Sequence, residues 1–211
     1  MILKRTKGLS LVFFLTIFYC FVEADDIFLK KISLDQRGQI RSLHLQYKAL
    51  ELRLDGFGHI KNIAVSSSEE FEIDYRISGK NRLETVNDIS IQYRFIETGE
   101  LYMLGDLSVE FDPFYPNLIE KIGHLEFEYN FIGDKPSYIK KLGALDFNYR
   151  YPDYRLEKLG EADFNYSLQY NERIESVMGM IDEDQAIEIY IDTALPARVL
   201  TEEEKARIRN N

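Results

Sequence analysis

The 211-residue chain contains one cysteine, Cys20, and no tryptophan. Without a second cysteine no disulfide can form within the chain, so stability has to come from apolar burial and strand pairing. The sequence also has no nucleophile elbow, no phosphate-binding glycine loop and no His-Glu-x-x-His pair. These absences argue against the common hydrolase, nucleotide-binding and zinc-protease classes, and we expect a protein that is not an enzyme.

Residues 1–24 have the features of a signal peptide. Three basic residues near the start precede an apolar run over residues 9–22. This run is shorter than the roughly 20 apolar residues that a membrane-spanning helix needs. We expect cleavage after Ala24 and a secreted or periplasmic mature protein, with a retained anchor as the alternative. Cleavage would also remove Cys20, the only thiol in the chain.

The chain is acidic, with a formal net charge of −10. Removal of residues 1–24 leaves 23 basic and 35 acidic residues, so the net charge becomes −12. A surface of this charge repels phosphate backbones and anionic lipid heads. We therefore expect no nucleic-acid partner and no membrane association after cleavage, while a protein or a glycan partner stays possible.

A repeated phrase dominates the rest of the sequence. Residues 142–149 read Leu-Gly-Ala-Leu-Asp-Phe-Asn-Tyr, and residues 159–166 read Leu-Gly-Glu-Ala-Asp-Phe-Asn-Tyr. Around such copies, apolar and polar residues alternate with a period of two, which is the pattern of a half-buried strand. The predicted inward-facing sets are Leu43/Leu45/Tyr47, Phe71/Ile73/Tyr75/Ile77, Ile89/Ile91/Tyr93/Phe95, Leu107/Val109/Phe111, Leu125/Phe127/Tyr129/Phe131, Leu145/Phe147/Tyr149/Tyr151 and Ala162/Phe164/Tyr166/Leu168.

Each predicted strand follows a short segment with two aliphatic residues three apart, and a two-residue junction separates the segment from the strand. The junctions are Asn87-Asp88, Gly105-Asp106, Gly123-His124, Gly143-Ala144 and Gly160-Glu161. Glycine accepts the positive φ that a two-residue hairpin turn requires, so we favour a tight turn over a bulge in one longer strand.

The hairpin interpretation leaves one aliphatic residue of each unit on the polar side of its short strand. These residues are Leu101, Ile119, Ile139 and Leu156. Two explanations stay open. Either the second face of the sheet is partly covered, or these residues cap the end of a rolled sheet.

The predicted fold is therefore all-β: an antiparallel meander of about eight tandem β-hairpin repeats, in an open, rolled or barrel-closed sheet. The repeat domain covers residues 25–195. Residues 196–211 form a C-terminal tail, in which Thr201 and Glu204 read as a capping box that opens a short helix.

The Gly-x-Leu-x-Phe-x-Tyr phrase resembles that of other secreted proteins built from short β-hairpin repeats. The nearest comparisons are the tyrosine-aspartate repeats of RHS-type proteins and the MORN repeats, and the resemblance covers most of residues 38–180. It implies a scaffold or shell of hairpins and no enzymatic activity.

Candidate site residues are few. His44 falls on the polar face of a strand, His59 in a turn and His124 in a hairpin loop, so repetition does not bring them together as a ligand set. Acidic residues alternate on the outward strand faces (Glu126, Glu128, Asp146 and Asp163) and could bind Ca²⁺, but alternation alone predicts a solvated polar face there. We expect no catalytic residues, no cofactor and no metal site.

The 14 tyrosines and 14 phenylalanines allow two interpretations. Stacked across strands, they could bind sugar rings, but their inward positions favour a core role. The sequence thus predicts an exported, non-enzymatic β-repeat protein that presents a binding or structural surface. The alternatives are a β-barrel carrier of a small apolar ligand and a small outer-membrane barrel.

Overall fold

A computed structural model describes residues 27–66, 72–76, 82–94, 100–167, 173–179, 181 and 186–192. The predicted signal peptide and the predicted helix in residues 196–211 lie outside these ranges. The described residues form strands, turns and connecting segments without a helix, which confirms the all-β prediction. Accordingly, no helix in these ranges is long and apolar enough to span a bilayer.

The described part of the chain contains 17 strands. They are β1 (Phe28–Asp35), β2 (Ile40–Tyr47), β3 (Leu50–Leu54), β4 (Ile60–Val65), β5 (Ile73–Arg76), β6 (Arg82–Val86), β7 (Ile89–Tyr93), β8 (Leu101–Leu104), β9 (Leu107–Phe111), β10 (Ile119–Ile122), β11 (Leu125–Ile132), β12 (Lys135–Leu142), β13 (Leu145–Arg150), β14 (Arg155–Leu159), β15 (Ala162–Tyr166), β16 (Ile174–Met178) and β17 (Glu188–Asp192).

These strands form two open sheets rather than one. Strands β5 to β16 pair in chain order as a 12-stranded antiparallel sheet, the meander. The other five, in the order β17-β1-β2-β3-β4, make a second sheet, the small sheet, in which β1 and β17 run parallel. The prediction of a meander is confirmed for residues 73–178, but residues 28–65 belong to a separate layer. Residues 40–47, expected to be a short segment leading into a strand, form the continuous strand β2.

The tight turns are as predicted. Leu142 pairs with Leu145 across the Gly143-Ala144 junction, and Gly143 has a φ of 58°. Asn87 takes the same place in its unit with a φ of 50°. The corresponding closing pairs in the other four hairpins are Val86↔Ile89, Leu104↔Leu107, Ile122↔Leu125 and Leu159↔Ala162. The predicted total of about eight repeat units stays a prediction.

A bulge in each short strand explains the aliphatic residues that the pattern left on the polar side. Asn148 pairs with Lys158, but the next residue, Tyr149, pairs with Leu156, so Glu157 is an extra residue in β14. An extra residue reverses the alternation of faces. Leu156 consequently points inward and is fully buried. The extra residues at the equivalent places are Glu84, Tyr102, Glu120, Lys140, Glu157 and Glu175.

Beyond the closing pair and one further pair, the two strands of a tight hairpin no longer pair with each other. Where the two strands separate, the hydroxyl of a tyrosine at the end of the long strand donates a hydrogen bond to the backbone carbonyl of the buried aliphatic residue in the short strand. The Tyr149 hydroxyl donates to the Ile139 carbonyl at 2.8 Å, and burial raises the pKa of Tyr149. Tyr129 donates to Ile119 at 2.7 Å, and Tyr166 donates to the carbonyl of Leu156. This bond satisfies a carbonyl that the ladder leaves unpaired.

Two turns of the small sheet share the sequence Leu-Asp-x-x-Gly-x-Ile, at residues 34–40 and 54–60. In both turns one carboxylate oxygen accepts from two backbone amides. Asp35 Oδ1 bonds to the amides of Arg37 and Gln39, each at 2.9 Å. Asp55 Oδ1 bonds to the equivalent amides of Phe57 and His59, at 2.9 and 3.0 Å. Such Asx geometry fixes a tight turn without help from the sheet.

These two turns join the small sheet to the meander. The amide of Leu156 donates to the Gly38 carbonyl at 2.8 Å, and that of Ile139 donates to the Gly56 carbonyl at 3.2 Å. A single hydrophobic core contains buried residues from both sheets, among them Leu43 of the small sheet and Phe147 of the meander. The two sheets therefore pack face to face as layers around one core.

Candidate binding cleft

The meander extends past the edge of the small sheet at β4. On the inner face of β5, Ile73 is 37% exposed and Tyr75 is 57% exposed. Their counterparts Phe147 and Tyr149 in β13 are buried and half-buried, because the small sheet covers them. The step between the covered and the uncovered parts of the meander forms an open cleft beside β4.

We call this feature the β4 cleft. Its volume is about 500 Å³, and its lining combines apolar and polar side chains. The lining residues are His59, Ile60, Lys61, Asn62, Ile63, Tyr93, Glu100, Leu101, Phe111 and Asn117. The rings of Tyr93 and Phe111 make an apolar floor, while His59, Lys61 and Glu100 supply polar and charged groups at the rim. Concave sites of this kind are the usual ligand sites of proteins.

One wall of the cleft is a strand edge. Among the described strands β4 pairs only with β3. The amide of Ser66 donates to the carbonyl of Ala49 at 2.8 Å, and Ala64 and Asn62 follow in the same register. Since hydrogen-bonded and non-bonded pairs alternate along an antiparallel ladder, the backbone groups of Ile63 and Val65 point away from β3.

The opposite wall is formed by Leu101, which is the β8 counterpart of Ile139 and Leu156. Phe111 occupies the position that Tyr149 and Tyr166 occupy in their units, and it has no hydroxyl. The Leu101 carbonyl therefore lacks the tyrosine bond that its counterparts accept. The two docked turns reach the meander at Ile139 and Leu156, away from this wall.

Asp55 organises the charged rim of the cleft. Its Oδ2 lies 2.7 Å from Lys61 Nζ and 3.2 Å from His59 Nδ1. Burial alone would raise the pKa of Asp55, but the hydrogen bonds from His59 and Lys61 outweigh it and hold this pKa well below its ordinary value. The carboxylate thus stays ionised and fixes the Lys61 ammonium group and the His59 ring at the mouth of the cleft.

The three histidines do not share a site. His44 is buried in β2, where its ring bonds to Ser42 Oγ at 2.8 Å and to Glu51 Oε1 at 2.7 Å. His44 lies on the polar face of its strand, as predicted. It is nevertheless buried, because β2 is an interior strand with β1 and β3 on either side. His59 lies in the β3–β4 turn beside Asp55, and His124 lies exposed in the β10–β11 turn.

The outward carboxylates lie on a solvated face, as alternation predicts. Glu128 forms an exposed ion pair with Lys140 at 3.2 Å, and Asp146 and Asp163 are also exposed. Within the described ranges, no three His, Cys, Asp or Glu side chains come together as a possible metal site.

The aromatic residues divide between a core role and a surface role. Phe147 and Phe164 are buried, as their inward positions predict. At the loop end of the meander, Tyr138 stacks on Phe57 with ring centroids 4.6 Å apart and on Tyr154 at 5.4 Å. This stack joins the β3–β4 turn to the meander and so fixes the small sheet, and with it β4, in place.

No protein-family model, no curated protein and no solved structure matches the chain. The site therefore has to be interpreted from its own geometry.

Sequence reasoning did not identify the β4 cleft, because the cleft depends on how far one layer covers the other. Two signals in the sequence bear on it. The Leu-Asp-x-x-Gly-x-Ile repeat at residues 34–40 and 54–60 distinguishes the small sheet from the meander. The long strands end in a tyrosine at Tyr93, Tyr129 and Tyr149, but in a phenylalanine at Phe111. This phenylalanine indicates the unit whose short strand has a carbonyl without a tyrosine donor.

Proposed function

We propose that the protein is an exported, non-enzymatic binding protein and that the β4 cleft is its ligand site. One observation carries this proposal: an apolar floor lies between the edge of β4, which pairs only with β3 among the described strands, and a carbonyl without its tyrosine donor, at Leu101. A ligand that fills the cleft gains apolar burial on the floor and hydrogen bonds on both walls.

The chemistry of the rim supports binding rather than catalysis. His59 and Lys61 are both held by the Asp55 carboxylate. With its pKa held far below neutrality, Asp55 is a poor proton acceptor at pH 7, where an efficient general base has a pKa near the working pH. The fixed rim is better suited to orienting polar groups of a ligand than to moving protons.

Export is supported by the basic start and the apolar run of residues 1–24. Expression of the full-length chain in a secreting host, followed by N-terminal sequencing of the recovered protein, tests this part of the proposal. We expect a mature chain that begins at Asp25. Recovery of the whole chain with Met1 intact would contradict export by cleavage.

Ligand screening by nuclear magnetic resonance on the isotopically labelled protein tests the site. Mixtures of peptides, oligosaccharides and small apolar molecules are added, and shifts of backbone amides are mapped. We expect binding components to perturb β4 and residues 93, 101 and 111 first. Asn62→Trp, which places a large ring in the cleft from an exposed position, should abolish these shifts.

Asn148→Trp is the matched control, since Asn148 is exposed on the outward face of β13. It should leave binding unchanged. Ligands that bind equally to the Asn62→Trp variant, or that perturb only the outward face, would contradict the assignment of the site. Turnover of a component that His59→Ala abolishes would contradict the non-enzymatic role.

A further inference from the structure

We infer that the β4 cleft binds an extended segment of another polypeptide, which adds to β4 as the next strand of the small sheet. The inference rests on the proposed function and specifies its ligand. The segment is apolar at alternate residues, and the residues between them are polar and uncharged.

The first argument is the spacing of the free backbone groups on β4. Ile63 and Val65 each present an amide and a carbonyl on the side of β4 that faces away from β3, two residues apart. An extended polypeptide offers donors and acceptors at the same period, because every second residue of a strand faces the same neighbour. Sugars and apolar small molecules do not match this period.

The second argument is that the meander already binds polypeptide backbone at the equivalent places. The amides of Ile139 and Leu156 hold the carbonyls of Gly56 and Gly38 from the small sheet. Leu101 occupies the same position in its own unit, beside β4. A peptide amide can donate to the Leu101 carbonyl in the place of the missing tyrosine hydroxyl.

The third argument concerns the side chains of the ligand. When a peptide adds to a sheet as a strand, main-chain hydrogen bonds provide the affinity, and pockets for alternate side chains provide the specificity. The floor at Phe111 and Tyr93 accepts one apolar side chain of every two. The rim carries Lys61 and Glu100, two charges of opposite sign, so we expect uncharged polar residues between the apolar ones.

A second copy of the same chain fits the site less well. Lys61, a side chain that is 54% exposed, lies on this edge strand. Lysine on an edge strand is a common means by which proteins prevent self-association. The charge at this edge therefore favours a different polypeptide as the partner.

Selection from a random library of nine-residue peptides displayed on phage, against the full-length mature protein, tests the inference. Peptides that also bind the Asn62→Trp variant are discarded, and the remaining ones are synthesised. With a selected peptide bound, hydrogen exchange should slow at least tenfold at the amides of Ile63 and Val65. Exchange at Asn62 and Ala64, already bonded to β3, should change little.

One change in the peptide and one in the protein distinguish main-chain hydrogen bonding from apolar contact with the floor of the cleft. N-methylation of alternate amides in the peptide removes its donors and should lower affinity at least tenfold. Phe111→Tyr supplies a hydroxyl to the Leu101 carbonyl and should lower affinity about threefold to tenfold, the value of one hydrogen bond. Phe131→Tyr, at an exposed ring outside the cleft, is the control and should have no effect.

The possible outcomes are distinct. Failure to select any peptide, or peptides whose affinity is indifferent to N-methylation, would overturn strand addition. The cleft as a ligand site would still stand if other screened ligands are lost in Asn62→Trp. Amides of Ile63 and Val65 that are already protected in the free protein would also overturn the inference, and sedimentation would then show whether a second copy covers them.

Discussion

The amide of Leu156 donates a hydrogen bond of 2.8 Å to the carbonyl of Gly38, and the Tyr166 hydroxyl packs directly against the same glycine. One turn of the small sheet is thereby fixed to one hairpin of the meander by its backbone and by its lack of a side chain. The equivalent contact of Gly58 with Tyr129 fixes the second turn. Together they determine where the small sheet ends and the β4 cleft begins.

Substitution of Gly38 tests this docking. Gly38 has a φ of 78°, and a Cβ there would overlap the Tyr166 ring. We expect Gly38→Ala to lower the free energy of unfolding by about 2–4 kcal/mol, from left-handed strain and overpacking together. Gly133→Ala is the control, at an exposed turn with a φ of 61°, and should cost about 1 kcal/mol. Equal losses for the two variants in urea denaturation would contradict the docking.

The face assignment of the meander is tested by neighbouring residues. Phe147→Ala and Phe164→Ala remove buried rings and should each lower the free energy of unfolding by about 3–5 kcal/mol. Asp146→Ala and Asp163→Ala change exposed side chains next to those rings and should stay within about 0.5 kcal/mol of the parent. Similar urea midpoints for the two sets would refute the assignment.

The tyrosine bond between the splayed strands is tested by removing one oxygen atom. Tyr149→Phe deletes the donor to the Ile139 carbonyl and leaves that buried acceptor unsatisfied. We expect a loss of about 1–2 kcal/mol in thermal or urea unfolding. Tyr75→Phe, at an exposed ring on β5, should change stability by less than about 0.5 kcal/mol. No difference between these two variants would mean that the bond contributes nothing.

The pH dependence of stability tests the role of Asp55. Because its pKa is lower in the folded state than the ordinary value of 3.8, the stabilisation is complete above that value and is lost as the pH falls toward the folded pKa. Asp55→Asn should therefore cost about 2 kcal/mol at pH 7 and progressively less below pH 4, about the value of a hydrogen bond to a charged group. The control Asp88→Asn, at an exposed turn, should show no such convergence with the parent. A constant difference across this pH range would contradict the assignment.

The sequence predicted the features that depend on neighbouring residues. Alternation identified the buried faces of β13 and β15 and of β11 as far as Tyr129, but Phe131 and Tyr151, predicted to face inward, are 56% and 75% exposed. The glycine doublets identified the turns, because the turns follow from local geometry. The inward position of Leu156 depends on a bulge, and one extra residue in a strand of five leaves little trace in a period-two pattern.

The second layer depends on contacts between distant parts of the chain. Strand β1 pairs with β17, and Ile32 lies opposite Ile189 although 157 residues separate them in sequence. No local pattern specifies such a partner. The burial of His44 follows from the same layer, since β2 becomes an interior strand only when β1 and β3 lie on either side of it.

Hydrogen exchange of the free protein at four consecutive amides of β4 tests the central claim most directly. If β4 is an open edge, the amides of Asn62 and Ala64 exchange slowly, because they are bonded to β3, and those of Ile63 and Val65 exchange quickly. Uniformly slow exchange at all four amides in the monomeric protein would show that the edge is covered, and the account of the cleft as an open binding site would be wrong.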